Sequence, residues 1–117
     1  MELWWLFFRL EGRVRRLDYW LGVVVLTVPA VGAYFLDRAT GNADADGFGP
    51  FSAVVTAVTS WSWIALHAKR WHDRDKSGWW TLIGLVPFIG AVWMLIELGV
   101  LRGTDGANKY GPDPLSD

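Results

Sequence analysis

The chain contains no cysteine, which excludes disulfides, thiolate metal sites, iron–sulfur clusters and cysteine nucleophiles. Charge is also scarce: 20% of residues are Asp, Glu, Lys or Arg, against about 25% in an ordinary soluble domain. The formal net charge of -1 excludes a strongly basic nucleic-acid binder and a highly charged disordered chain. Gly-rich phosphate loops, G-x-S-x-G elbows and paired-carboxylate motifs are missing too. No catalytic, cofactor-binding or metal-ligating residue is therefore assigned. The 117 residues leave room for one domain, 1–117.

Apolar residues, by contrast, make up 52% of the chain and arrive in blocks. Tyr19 to Leu36 is an uncharged run of 18 residues, and Gly47–Leu66 and Ser77–Ile96 are uncharged runs of 20. A helix rising about 1.5 Å per residue needs about 20 residues to cross a hydrocarbon core. None of the runs has the polar face of a soluble surface helix. Nine Leu, Val and Phe residues in the first run give insertion terms summing to roughly -3 to -5 kcal/mol. That run is longer than the apolar region of a signal peptide, and it reads as a retained span. The expected fold is all-α and polytopic, with three transmembrane helices near 19–36, 51–68 and 79–101. A polar tail of turns, mobile by default, follows at 102–117. Pro87 and Gly90 predict a kink in the third span; a hairpin turning there would have arms of only about 12 and 16 Å, so a single crossing is the expected solution.

Orientation follows from charge. Arg9, Arg13, Arg15 and Arg16 precede the first span, and Arg38 alone follows it. Lys69, Arg70, Arg74 and Lys76 lie between the second and third, leaving Arg102 and Lys109 in the tail. This pattern places the N terminus and second loop in the cytoplasm. Six of the nine tryptophans, Trp4, Trp5, Trp20, Trp71, Trp79 and Trp80, flank the same basic segments as an aromatic belt. LWWLFFRLEGRVRR accordingly reads as an interfacial amphipathic segment. A single crossing carries Glu97 towards the outer interface.

Two constellations carry polar chemistry. Ser52, Thr56, Ser60, Trp63 and His67 recur at spacings of four, four, three and four, one face of a helix. Small hydroxyl residues there suit helix packing, within one chain or between copies; a polar path ending at His67 is the alternative. His67 and His72 are five apart, about 140° around a helix, which is not the spacing of a helical zinc site. Asp73 is expected to pair with Arg70, Arg13 or Arg16, and Ser77 to cap the helix that follows.

Three stretches together resemble a known group. LEGRVRRLDYW (Leu10–Trp20), RWHDRDKSGWW (Arg70–Trp80) and GTDGANKYGPDP (Gly103–Pro114) are similar to the F-x-G-R-x-x-R-x-x-Y/F-W, R-x-H-D-x-x-x-S-G-W and G-x-x-G-x-N-x-Y-G-x-D-P motifs of domain-of-unknown-function family 805, the YhaH-like bacterial inner membrane proteins. Leu10 stands where the family has an aromatic residue, and Trp71 where it has an aliphatic one. The resemblance implies a compact multi-pass inner-membrane protein and supplies no activity, substrate or cofactor. It also implies that Gly12, Arg13, Arg16, Arg70, His72, Asp73, Ser77, Gly78 and Trp79 act together, with Asn108, Tyr110, Gly111 and Asp113 forming the tail motif.

The expected function is that of a non-enzymatic, self-associating membrane component. Its cytoplasmic polar cluster would bind anionic lipid headgroups or a membrane protein partner, Arg70 facing a lipid phosphate. The alternatives are a small transporter or channel subunit lined by the Ser52–His67 stripe, and a membrane enzyme using His72 and Asp73.

Overall fold

The computed structural model describes residues 3–44 and 47–115. Every regular element among them is helical. Helix α1 is Leu3–Phe8, α2 is Arg16–Ala39 and α3 is Pro50–Asp73. A 3₁₀ helix, Gly78–Leu85, then leads to α4, Ile89–Met94, which continues as a π-helical turn, Leu95–Val100.

Helices α2 and α3 contain 24 residues each, about 36 Å of helix, and pair along their length. Gly22 admits the Leu66 side chain at the crossing; a Cβ there would lie 2.9 Å from a Leu66 methyl. One turn nearer the clustered charges, His67 Nδ1 donates to Trp63 O at 2.7 Å. Its Nε2 is then an acceptor, and it receives the Tyr19 hydroxyl at 3.3 Å. Only 22% of the apolar window of either helix is buried, where the core helix of a soluble protein would be mostly enclosed. Val24, Val25, Val28, Phe35, Val54 and Val58 all stand exposed.

The far end of the pair is closed by Asp37. Helix α3 begins after Gly49, which has no side chain to cap it. Asp37 supplies the cap from the end of α2, accepting the backbone N–H of Phe51 at 2.9 Å and of Ser52 at 2.8 Å. Gly49 is needed there because a Cβ would come within 2.7 Å of the same carboxylate.

Among the described residues two helices, not the three expected, are long and apolar enough to cross a membrane. The segment expected to run straight from 79 to 101 reverses at Pro87. Pro87 has no N–H to continue a helix and drives Val86 into extended backbone, φ −83° and ψ 113°. Phe88 turns the chain with φ 62°, and Gly90 then lies so close to the Ile83 carbonyl that any Cβ would overlap it. Proline and glycine, read from sequence as a kink, together make a hairpin. Each arm is about 16–18 Å long, half of what a crossing needs. Its return carries Glu97 to Arg74 and Lys76 at the end of α3, rather than to the opposite interface.

Replacing Asp37 with Ala should cost about 1–2 kcal/mol of stability in detergent and speed amide exchange at Phe51 and Ser52, while Asp37→Asn keeps most of the cap. Unchanged exchange at both amides in Asp37→Ala would show that the helix is capped otherwise.

Candidate functional site

Arg13, Lys69, Arg70, Asp73, Arg74 and Glu97 converge at one end of the molecule. Asp73, in the last turn of α3, is 3% exposed, Arg13 5% and Arg70 fully enclosed. Arg13 Nε donates to Asp73 Oδ1 at 3.0 Å, and Arg70 Nη1 donates to Oδ2. One carboxylate therefore bridges two guanidinium groups.

Both cations also bond to backbone. Arg13 donates to the carbonyls of Gly106 at 2.6 Å, Thr104 at 2.6 Å and Gly111 at 3.2 Å. Arg70 donates to Leu98 O at 2.6 Å, Leu101 O at 2.7 Å and Val14 O at 3.1 Å. All three nitrogens of each group are engaged, and six carbonyl oxygens share the positive charge that Asp73 does not balance. The Asp73 carbonyl receives Thr104 N–H at 2.7 Å, and Gly103 passes so close that a Cβ would overlap the Asp73 carboxylate.

A third buried cation fastens the N-terminal helix. Lys69 is fully enclosed, and its ammonium donates to the carbonyls of Trp5, Leu6 (2.7 Å) and Arg9 (2.6 Å) at the C-terminal end of α1. Six residues are too few to hold a helix alone, and a cation at the carbonyl end satisfies both the orphan acceptors and the dipole. Trp61 Nε1 adds a bond to Phe8 O at 2.8 Å. The opposite terminus is treated likewise. Trp20 donates to Gly99 O at 2.9 Å, Arg16 to Val100 O at 2.8 Å and Arg74 to Arg102 O at 2.7 Å. With the two Arg70 bonds, five successive carbonyls from Leu98 to Arg102 each accept a side-chain donor.

His72 sits at the edge of this assembly. Its Nδ1 donates to Gly12 O at 3.0 Å, and its ring stacks on Tyr110 with centroids 4.0 Å apart and planes 3° from parallel. Gly12 has φ +99° and faces the Trp5 ring at a distance that leaves no room for a side chain, 2.8 Å from a built Cβ. Asn108 donates to His72 O at 2.9 Å and accepts Tyr110 N–H at 2.8 Å. Asp113 accepts the N–H of Leu115 and of Gly106, both at 2.9 Å, which holds its carboxyl below the usual carboxylate range. The ionised form is thus favoured by the folded tail, and its contribution is lost only as pH falls through that lowered value. The tail is made of turns, as its composition predicts, but it is pinned rather than mobile.

Of the nine residues grouped from sequence, Gly12, Arg13, Arg70, His72 and Asp73 meet here. Arg16 reaches the Val100 carbonyl instead of Asp73, and Ser77 caps the 3₁₀ helix by accepting Trp79 N–H at 3.3 Å. Gly78 packs on Ala68, and Trp79 is 78% exposed. The Ser52–His67 stripe divides within this chain: Ser52 is buried under Asp37, Trp63 and His67 are half-buried, and Thr56 and Ser60 face outward. The inner face of α3 is instead Ser62, Leu66, Lys69 and Asp73, rotated from the hydroxyl stripe. Sequence reasoning missed Lys69, Glu97 and Gly103. Nothing in its residue type distinguishes Lys69 from the less buried Arg74 and Lys76, whereas Glu97 is legible once Pro87 is taken as a reversal.

Residues 7–112 match the family model described as a protein of unknown function, DUF805. Inner membrane protein YhaH of Escherichia coli K12 is 36% identical over 105 residues, covering 89% of this chain and 85% of that protein. Inner membrane protein YhaI of the same strain is 32% identical over 104 residues, 89% of this chain and 84% of that one. The uncharacterised YiiR, also of that strain, is 31% identical over 140 residues, 93% and 87%. No solved structure matches. The matched segment takes in both long helices, the hairpin and the clasped tail, and the chain belongs to the DUF805 family of membrane proteins.

Proposed function

We propose that this chain is a non-catalytic inner-membrane component with two spans, α2 and α3, and a re-entrant hairpin at 78–100. Its clasped end and both termini then lie on the cytoplasmic side, where the rim binds anionic lipid headgroups. The observation that carries this reading is the saturation of the cluster. Asp73 has both oxygens occupied and the two enclosed guanidinium groups have bonds on every nitrogen, which leaves neither the carboxylate nor an anion-binding fork for a substrate. The cluster acts as a clasp.

Headgroup contact passes to the exposed rim. Arg9, Arg15 and Arg102 have side chains 53%, 41% and 62% exposed, in surface pairs too weak to sequester them. Trp4 and Trp79 stand out at 64% and 78%, as interfacial anchors do. The outward Thr56 and Ser60 support self-association through α3, since small hydroxyl residues let helices of two copies approach closely.

Because the chain has no native cysteine, single substitutions test this topology directly. Asn42→Cys should label from the periplasmic side, Lys109→Cys from the cytoplasmic side, and Ser60→Cys should cross-link copies in the membrane. Labelling of residues 42 and 109 from the same side would refute the re-entrant hairpin, and an uncross-linked residue 60 would refute the α3 contact.

Asp73→Asn leaves two enclosed guanidinium groups uncompensated and should cost roughly 3–5 kcal/mol in chemical denaturation. A cost below about 1 kcal/mol, the range of surface pairs, would show that the cluster is not a clasp. Arg15→Gln with Arg102→Gln should lower affinity for anionic liposomes several-fold and flatten its salt dependence, at about 1 kcal/mol per cation. Equal binding and equal salt dependence would contradict the rim.

A further inference from the structure

Beside the clasp lies a cleft of about 320 Å³ lined by Leu10, Ile64, Ala68, His72, Gly78 and Trp79, with Ser77 at its edge. Its walls are apolar apart from His72 and Ser77. Ile64 and His72 are eight residues apart on α3, so the cleft runs about 12 Å along the helix, from the charged end into the apolar span. Leu10 of the N-terminal arm and Gly78–Trp79 of the hairpin form its sides. Gly78 keeps it open, since a Cβ there would strike Ala68 at 2.8 Å and stand 3.8 Å from His72 Nε2.

The polar end has a defined hydrogen-bonding sense. His72 Nδ1 faces the Gly12 carbonyl, which only accepts, so Nδ1 carries the proton and neutral Nε2 presents a lone pair. Stacking on Tyr110 fixes the plane of the ring, and Nε2 has no partner among the described residues. Lys109, whose ammonium stands over the same Tyr110 ring at 5.3 Å, adds positive charge on the far side of the His72 contact without itself lining the cleft. An occupant that fits has a long apolar segment, a hydroxyl donor at its polar end and negative charge beside it.

We propose that this cleft is a binding site for one anionic phospholipid with a hydroxylated headgroup, the chemistry of phosphatidylglycerol. One acyl chain lies along Ile64 and Trp79, and a headgroup hydroxyl donates to His72 Nε2. The assignment rests on the membrane reading above and adds to it a single, stereochemically specific position, distinct from the diffuse cationic rim.

The test is native mass spectrometry of the full chain in detergent, titrated with phosphatidylglycerol, phosphatidylethanolamine and phosphatidylcholine of identical acyl chains. The first phosphatidylglycerol should bind about tenfold more tightly than phosphatidylcholine, which has no headgroup donor, and more tightly than phosphatidylethanolamine. His72→Phe retains a ring to stack on Tyr110 and should erase that preference. Ile64→Trp, at an exposed position remote from the clasp, should weaken the first binding event for all three lipids about tenfold. Equal affinities in the wild type, tighter phosphatidylethanolamine binding, a preference that survives His72→Phe, or full binding in Ile64→Trp would each overturn the assignment. Arg15→Gln with Arg102→Gln separates the two readings: failure of the rim leaves later, salt-sensitive lipids unaffected by it, whereas failure of the cleft leaves the first lipid indifferent to residues 64 and 72.

Discussion

A single carboxylate held between two guanidinium groups organises this protein. Asp73 ends one long helix, Arg13 precedes the other, and Arg70 lies one turn back from Asp73. Burying two cations with one anion is costly unless the excess charge is dispersed over well-placed acceptors. Here the acceptors are backbone carbonyls of the π-helical turn, of the segment before α2 and of the tail. The need to satisfy the cations is thus what draws three distant parts of the chain onto the end of α3. Hydrophobic burial could not do this alone, because in lipid an apolar surface gains little by contact with another.

The contacts made by α1, the hairpin and the tail fall on α3 between Trp61 and Arg74. Beyond them the described ends of α2 and α3 are joined by the Asp37 cap. The molecule is therefore thick at its clasped end and thin at the other. Pinning the hairpin at its base through Trp20, Arg16 and Arg70 fixes where it joins the pair while its tip, Phe88, stays exposed.

The helical class and the two long apolar helices were legible because run length and missing charge are local properties of Tyr19–Leu36 and Gly47–Leu66. The Arg13–Asp73 pair was also legible, since the charge pattern places both residues at one interface. The hairpin was not, although Pro87 and Gly90 were noticed. Arm length alone favoured a crossing, and the deciding contact, Gly90 against Ile83, depends on how two short arms meet. Lys69 was missed because its role lies in its partners: the orphan carbonyls of α1 exist only once that helix has formed. The hydroxyl stripe on α3 reads as one face by spacing, yet the face turned to this chain's other elements is set by Leu66 against Gly22 and by the three charged residues at the end.

The span in sequence of the Arg13 contacts has a consequence for biogenesis. Arg13 reaches Asp73, Thr104, Gly106 and Gly111, between 60 and 98 residues downstream. During synthesis α2 is therefore made and inserted long before the acceptors for its preceding arginine exist, and Arg13 must stay hydrated in the meantime. Only a polypeptide elongated through Gly111 can withdraw that charge from water. The knot thus works as a late latch, and a nascent chain halted before the GTDGANKYG segment would display an open basic end.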